Sequence, residues 1–155
     1  MTIDSLDRDI LIALQRDGRQ TNAHLAESLG LSASAMLERV RRLEQDGQIL
    51  GYRALVAPEA LVLDIQAVIG VRLRVHGRDS IEQFEQHIGD VSGVCSCCHV
   101  TGGYDYLVGV AVPDLAALRE LIRVDLAAIP GVSKLETMLV LSEVKPFAGW
   151  PAGSS

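Results

Sequence analysis

The chain has 155 residues, with 14 Lys and Arg against 20 Asp and Glu for a formal net charge of −6, and 48% of it is hydrophobic. That much apolar material excludes a disordered chain and fits one domain or two small ones. No apolar run approaches the roughly 20 residues of a membrane span, and the acidic total weighs against nucleic acid as a partner. The start, Met1-Thr2-Ile3-Asp4, is acidic and amphipathic and does not read as a signal peptide. Three cysteines crowded into one short stretch make no disulfide framework. A cytoplasmic, membrane-free protein is expected.

In chain order, residues 5–16 read as a helix with Leu6, Ile10, Ala13 and Leu14 on one stripe. Asp4 or Ser5 can cap its start, and Gly18 lies just past its end. A second helix spans about 22–29 from Asn22, with Leu25, Ala26 and Leu29 apolar. Gly30-Leu31-Ser32 is a tight break, in which glycine supplies a left-handed turn and Ser32 caps the next helix. The third helix runs from Ala33 to Asp46, with Met36, Val40 and Leu43 inward, and Gly47 ends it. Residues 49–56 have extended character until Pro58.

Two short helices joined by a glycine turn, after a leading helix, form a helix-turn-helix pattern. Its recognition helix presents Ser34, Ala35, Glu38, Arg41, Arg42 and Gln45 outward. Small residues at its start permit close approach to base edges, and the cluster Arg39, Arg41, Arg42 reaches phosphates. Dividing the charge supports this. Residues 1–53 carry seven basic and eight acidic residues, so 5 of the 6 excess negative charges lie beyond them.

Residues 54–64 read as a connector with a helix-like stretch at Glu59–Leu63, after which the period changes to two. Ala67, Ile69, Val71, Leu73 and Val75 alternate with the other face, as in a half-buried strand. Next come a helix at 79–88, strands at 91–100 and 104–112, a helix at 114–129 facing inward through Leu115, Leu118, Ile122 and Leu126, and a strand at 132–145. The order β-α-β-β-α-β is that of a ferredoxin-like sandwich with helices on one sheet face. The fold class is α+β. It comprises an N-terminal winged-helix-like helix-turn-helix domain (1–53), a linker (54–64), a C-terminal ferredoxin-like βαββαβ sandwich (65–146) and a tail (147–155) that frays. Val68, Val108, Met138 and Val140 are expected on the uncovered sheet face, and that much apolar surface calls for a second subunit.

Four segments resemble the Lrp/AsnC (feast/famine) transcriptional regulators: LDRDILIALQRDGR at 6–19, LAESLGLSASAMLERVRRLEQDGQILGYRALVAP at 25–58, VTGGYDYLVGVAVPD at 100–114 and IPGVSKLETMLVLSEVK at 129–145. The resemblance implies a regulator that binds double-stranded DNA through Ser32, Ser34, Ala35, Glu38, Arg39, Arg41 and Arg42. It implies a homodimer built through the sheets and assembling further, to octamers, and a small effector, usually an amino acid, at a subunit interface. Carried over by position, the effector turn is Thr101-Gly102-Gly103-Tyr104-Asp105, with Thr137 contributing from the neighbouring side. The chemistry is apt: glycines expose N–H groups that hold a carboxylate, and Asp105 can pair with an α-ammonium. The chain departs from many members at Ala33 and Ala35, where prolines are common, and at Gly103, where amino-acid-responsive members often carry an acid.

Cys95-Ser96-Cys97-Cys98-His99 invites a metal or redox reading. On a strand Cys95, Cys97 and His99 share a face at roughly 6.5–7 Å spacing, too far apart to close on one zinc without a sharp bend. Burial as small hydrophobes is the favoured reading, and no catalytic residue, metal or cofactor is expected. Two alternatives are an enzyme on the same scaffold, as in the similar sirohaem decarboxylases, and an amino-acid sensor that does not bind DNA. The four histidines are scattered over separate elements, which disfavours the first. The basic helix disfavours the second.

Overall fold

The computed structural model describes residues 3–151; Met1-Thr2 and the end of the tail, 152–155, lie outside the described residues. The chain divides into two compact units, residues 3–55 with 145–151 and residues 56–144.

In the first unit, α1 (Ser5–Arg16), α2 (Asn22–Ser28) and α3 (Ala33–Gln45) enclose a small core. Each helix opens on a side-chain cap: Asp4, Thr21 and Ser32 accept from the backbone N–H groups of Asp7, His24 and Ala35. Ile10, Leu25, Ala26, Met36, Val40 and Leu43 are buried together, with Leu14, Leu29 and Ile49 packed against them. Gly30 and Gly47 adopt positive φ, which closes α2 and α3. The expected extended segment 49–56 forms no paired strand, and Leu50 and Leu55 are 96% and 90% exposed. In the tail, Trp150 N–H donates to Gln15 Oε1 at 2.6 Å, and its ring meets Phe147 edge-on.

In the second unit the sheet order is β2-β3-β1-β4, all antiparallel, from β1 (Ile65–Leu73), β2 (Val94–His99), β3 (Tyr106–Val112) and β4 (Val132–Leu139). Helices α4 (Arg78–Ile88) and α5 (Leu115–Glu120) supply Phe84, Ile88 and Leu118 to a core shared with Ile69, Val71, Tyr106 and Val108.

Several expectations are corrected. Val108 pairs with Ile69 and is fully buried on the helix side, because β3 is apolar on both faces and alternation alone cannot say which is covered. Val75 is exposed, since β1 leaves the sheet after Leu73. β4 stops at Leu139 rather than 145 because β1 begins at Ile65 and offers no further partner beyond the bond from Val140 N–H to the Gln66 carbonyl. The expected helix 114–129 changes pitch: Leu121–Leu126 is π-helical, with Ala127 N–H donating to the Ile122 carbonyl five residues back. That wider turn buries Leu121 with Leu126, and Leu115 is exposed.

The cysteines are not buried. All three are exposed, because β2 is an edge strand. Cys97 lies opposite Val108, toward the helix side. There desolvation, with the neighbouring Cys98 and Glu85, pushes its thiol up to about 11.

Candidate functional site

The outward residues of α3 do not behave alike. Asp7, on the inward stripe of α1, is only 3% exposed. A carboxylate buried there needs cations, and α3 provides two. Arg39 Nη1 lies 2.7 Å from Asp7 Oδ1, and Arg42 Nη2 lies 2.8 and 2.7 Å from the two Asp7 oxygens. Arg39 also reaches Asp4 at 2.7 Å. Asp4 already accepts the Asp7 N–H, and that bond followed by the Arg39 contact holds its carboxyl below the usual range. Arg39 is raised in turn by Asp4 and then Asp7. Of the three arginines expected at DNA, two thus fasten α3 to α1, and Arg41 makes no ion pair among the described residues. Ser32 caps α3, its hydroxyl 3.2 Å from that of Ser34, and Ser34, Glu38 and Arg41 are exposed.

In the second unit the turn 101–105 joins β2 to β3. Val100 N–H donates to the Asp105 carbonyl, and Asp105 N–H donates to the Val71 carbonyl, which pins the turn to β1. Between these bonds, the N–H groups of Thr101, Gly102, Gly103 and Tyr104 meet no acceptor among the described residues. Gly102 has φ +117, a conformation that L side chains rarely adopt. The Asp105 carboxylate accepts from Leu73 N–H at 2.7 Å and lies 3.0 Å from His76 Nε2. Arg72 Nε donates to the Gly103 carbonyl.

Tyr104 lies on the uncovered sheet face, its ring over Gly70, where a Cβ would stand 2.6 Å away. Glu136, paired with Gly70 on β4, sits at its hydroxyl and raises that pKa. Thr137 is not brought to the turn within one chain: it pairs with Ile69, on the other face of β4, and is exposed at the sheet edge. Asp7, Arg72, His76, Gly70 and Glu136 escaped sequence reasoning. Two signals were legible: a carboxylate on an apolar stripe, and a glycine within a strand, which marks close approach.

A helix-turn-helix unit with an exposed α3 face, joined in one chain to a βαββαβ unit with an open, donor-rich turn, defines a DNA-binding regulator with a separate ligand domain. Residues 3–49 match a winged helix-turn-helix DNA-binding model, and residues 66–150 match the Lrp/AsnC ligand binding domain. The chain belongs to the Lrp/AsnC family. It is similar to the leucine-responsive regulatory proteins of Klebsiella pneumoniae and Escherichia coli (strain K12), each 40% identical over 143 residues, 92% of this chain and 87% of the relative. Among solved structures, a Neisseria meningitidis transcriptional regulator in complex with L-Met aligns with TM-score 0.89 at 35% identity, covering 97% of both chains. E. coli AsnC aligns with TM-score 0.83 at 28% identity, covering 96% of this chain and 100% of that one. The chain is accordingly a DNA-binding regulator of the Lrp/AsnC type. Among the described residues no helix is long and apolar enough to cross a membrane.

Proposed function

We propose that an amino acid bound at the turn 101–105 controls how several copies of this chain engage double-stranded DNA through α3. The observation that carries the effector reading is a turn whose backbone N–H groups at 101–104 meet no acceptor among the described residues and which ends on the Asp105 carboxylate. The donors suit an α-carboxylate, and Asp105 suits an α-ammonium. The L-Met complex of the related Neisseria regulator supports the class of ligand.

On DNA, Ser34, Ala35 and Glu38 face the bases while Arg41 meets phosphate. Arg39 and Arg42 act one step back, by fixing the tilt of α3 against α1. The assembly is a homodimer through the uncovered sheet face, where Val68 pairs with Met138 and Leu107 and Val140 lie close by, and it builds further to an octamer. An effector shifts this assembly only if it binds one arrangement more tightly than another. Thr137 then belongs to a contact between copies, not to the turn of its own chain. The protein acts in the cytoplasm, by binding rather than by catalysis: its histidines are dispersed, with His24 on α2, His76 in the β1–α4 loop, His87 on α4 and His99 at the end of β2.

A thermal-shift screen of the twenty L-amino acids against the wild type and Asp105→Ala tests the effector reading. A stabilising hit lost in the variant supports it; a hit that survives moves the site elsewhere.

A further inference from the structure

One end of the uncovered sheet face is built against ordinary pairing rules. Arg72 on β1 lies directly opposite Lys134 on β4, and like charges at directly opposed positions destabilise a sheet. Glu136 offsets part of this: Lys134 Nζ lies 2.9 Å from its carboxylate. That bond first, then Tyr104 and more weakly Arg72, lowers the Glu136 carboxyl. Glu136 is thereby shared among three groups, and the cation pair is left under-neutralised.

Arg72 is also aimed. Its Nε donates to the Gly103 carbonyl, which draws the guanidinium against the turn. Nη2 stands 3.8 Å from where a Cβ of residue 103 would be, so glycine at this position leaves the guanidinium open to whatever enters the turn. The Nη atoms of Arg72 meet no acceptor among the described residues. The turn thus presents a carboxylate, a row of N–H donors and a guanidinium with its outer edge unused.

We infer that the effector carries a second carboxylate: an acidic amino acid, or a dicarboxylate amine of similar length, with Arg72 as the specificity-determining residue. The inference rests on the effector reading above and deepens it. The α-ammonium goes to Asp105 and one carboxylate to the turn N–H groups. The other carboxylate goes to the Nη edge of Arg72, in the bidentate geometry guanidinium favours. Its charge completes the neutralisation of the Arg72–Lys134 pair that Glu136 leaves unfinished. A neutral side chain of the same shape leaves that edge facing water.

Titration calorimetry on the full-length protein with isosteric pairs, L-Glu against L-Gln and L-Asp against L-Asn, tests this. The wild type is expected to bind one acid about tenfold or more tightly than its amide. Arg72→Gln should erase that preference while the amide's affinity stays within about threefold. Equal binding of acid and amide by the wild type, or a preference that survives Arg72→Gln, overturns the inference. If neutral amino acids such as L-Met bind, lose binding in Asp105→Ala, and no acid preference exists, the acidic specificity falls while the effector site stands. If no amino acid binds at all, the effector reading itself fails and this inference with it.

Discussion

Arg41 and Arg42 are neighbours on one helix, yet the geometry gives them opposite expected phenotypes. Arg42 is 47% exposed but spends its Nη2 on Asp7, a carboxylate only 4% exposed at its side chain. Arg41 has no such partner among the described residues. Each lost phosphate contact lowers the slope of log K against log salt by about 0.9, so Arg41→Ala should flatten the slope by about 1.8 for a dimer on two half-sites. Between about 50 and 200 mM salt the wild type would then lose about tenfold more affinity than the variant. Arg42→Ala should keep nearly the wild-type slope and lose stability instead. Breaking a buried pair costs about 3–5 kcal/mol and an exposed one below about 1, and the half-exposed geometry with Arg39 still on Asp7 places this near 1–2 kcal/mol. For a unit of about 60 residues that is a fall in Tm of about 8–16 °C. Fluorescence anisotropy of a labelled duplex across the salt range, with thermal unfolding of the same preparations, separates the two. If Arg42→Ala flattens the slope as much as Arg41→Ala with no change in Tm, DNA draws Arg42 off Asp7 and the division proposed between them is wrong.

Gly70→Val should lower Tm, since overpacking costs about 1–3 kcal/mol and the new Cβ meets the Tyr104 ring. In a Tyr104→Ala background most of that cost should vanish, and additive losses in the double-mutant cycle would show that the ring is not what Gly70 accommodates. Cys97, pushed up to about 11, holds only about one thiolate in a thousand at pH 8. Peptide mapping after brief iodoacetamide treatment should therefore find it modified more slowly in the folded protein than in the same protein unfolded in urea, and equal rates would contradict the desolvation argument. Val68→Lys with Met138→Lys places two facing charges on the uncovered sheet face. If the proposed assembly is right, light scattering should report an oligomer for the wild type and a monomer for the variant, and an unchanged mass would move the interface to another surface.

The two architectures were legible because each rests on a period. Helical stripes such as Met36, Val40 and Leu43 and the two-residue alternation of Ala67 to Leu73 became the two cores. What periodicity cannot supply is register and partnership. Nothing in β3, with Tyr106, Val108 and Val110 on one face and Leu107 and Ala111 on the other, says which face the helices take. The length of β4 depends on where β1 begins, 74 residues before β4 ends. Site residues were legible where the motif is local, as in the turn 101–105, and not where they arrive from elsewhere. Arg72 and His76 reach that turn from the far end of β1 and just beyond it. Asp7 was the missed clue of the other kind. It lies in phase with Ile10 and Leu14, where an uncompensated carboxylate would be costly, so its position alone required a cation from a neighbouring helix.

The place of each charge bears on function more than the total. Residues 1–53 hold seven arginines against eight acids, and two of those arginines are neutralised within the helix-turn-helix unit by Asp4 and Asp7. The outward face of α3 keeps few free cations, so the sequence-independent part of DNA affinity, which scales with phosphates neutralised, is small for one copy. Proteins with a weak single contact gain affinity by engaging several at once, because a second contact in a linked assembly forms at high effective concentration and is lost entirely when the geometry forbids it. Under the proposed assembly, the arrangement of copies is therefore the largest adjustable term in binding. A ligand at the turn 101–105 then needs only a modest preference for one arrangement to change occupancy of DNA by a large factor, and no direct contact with α3 is required.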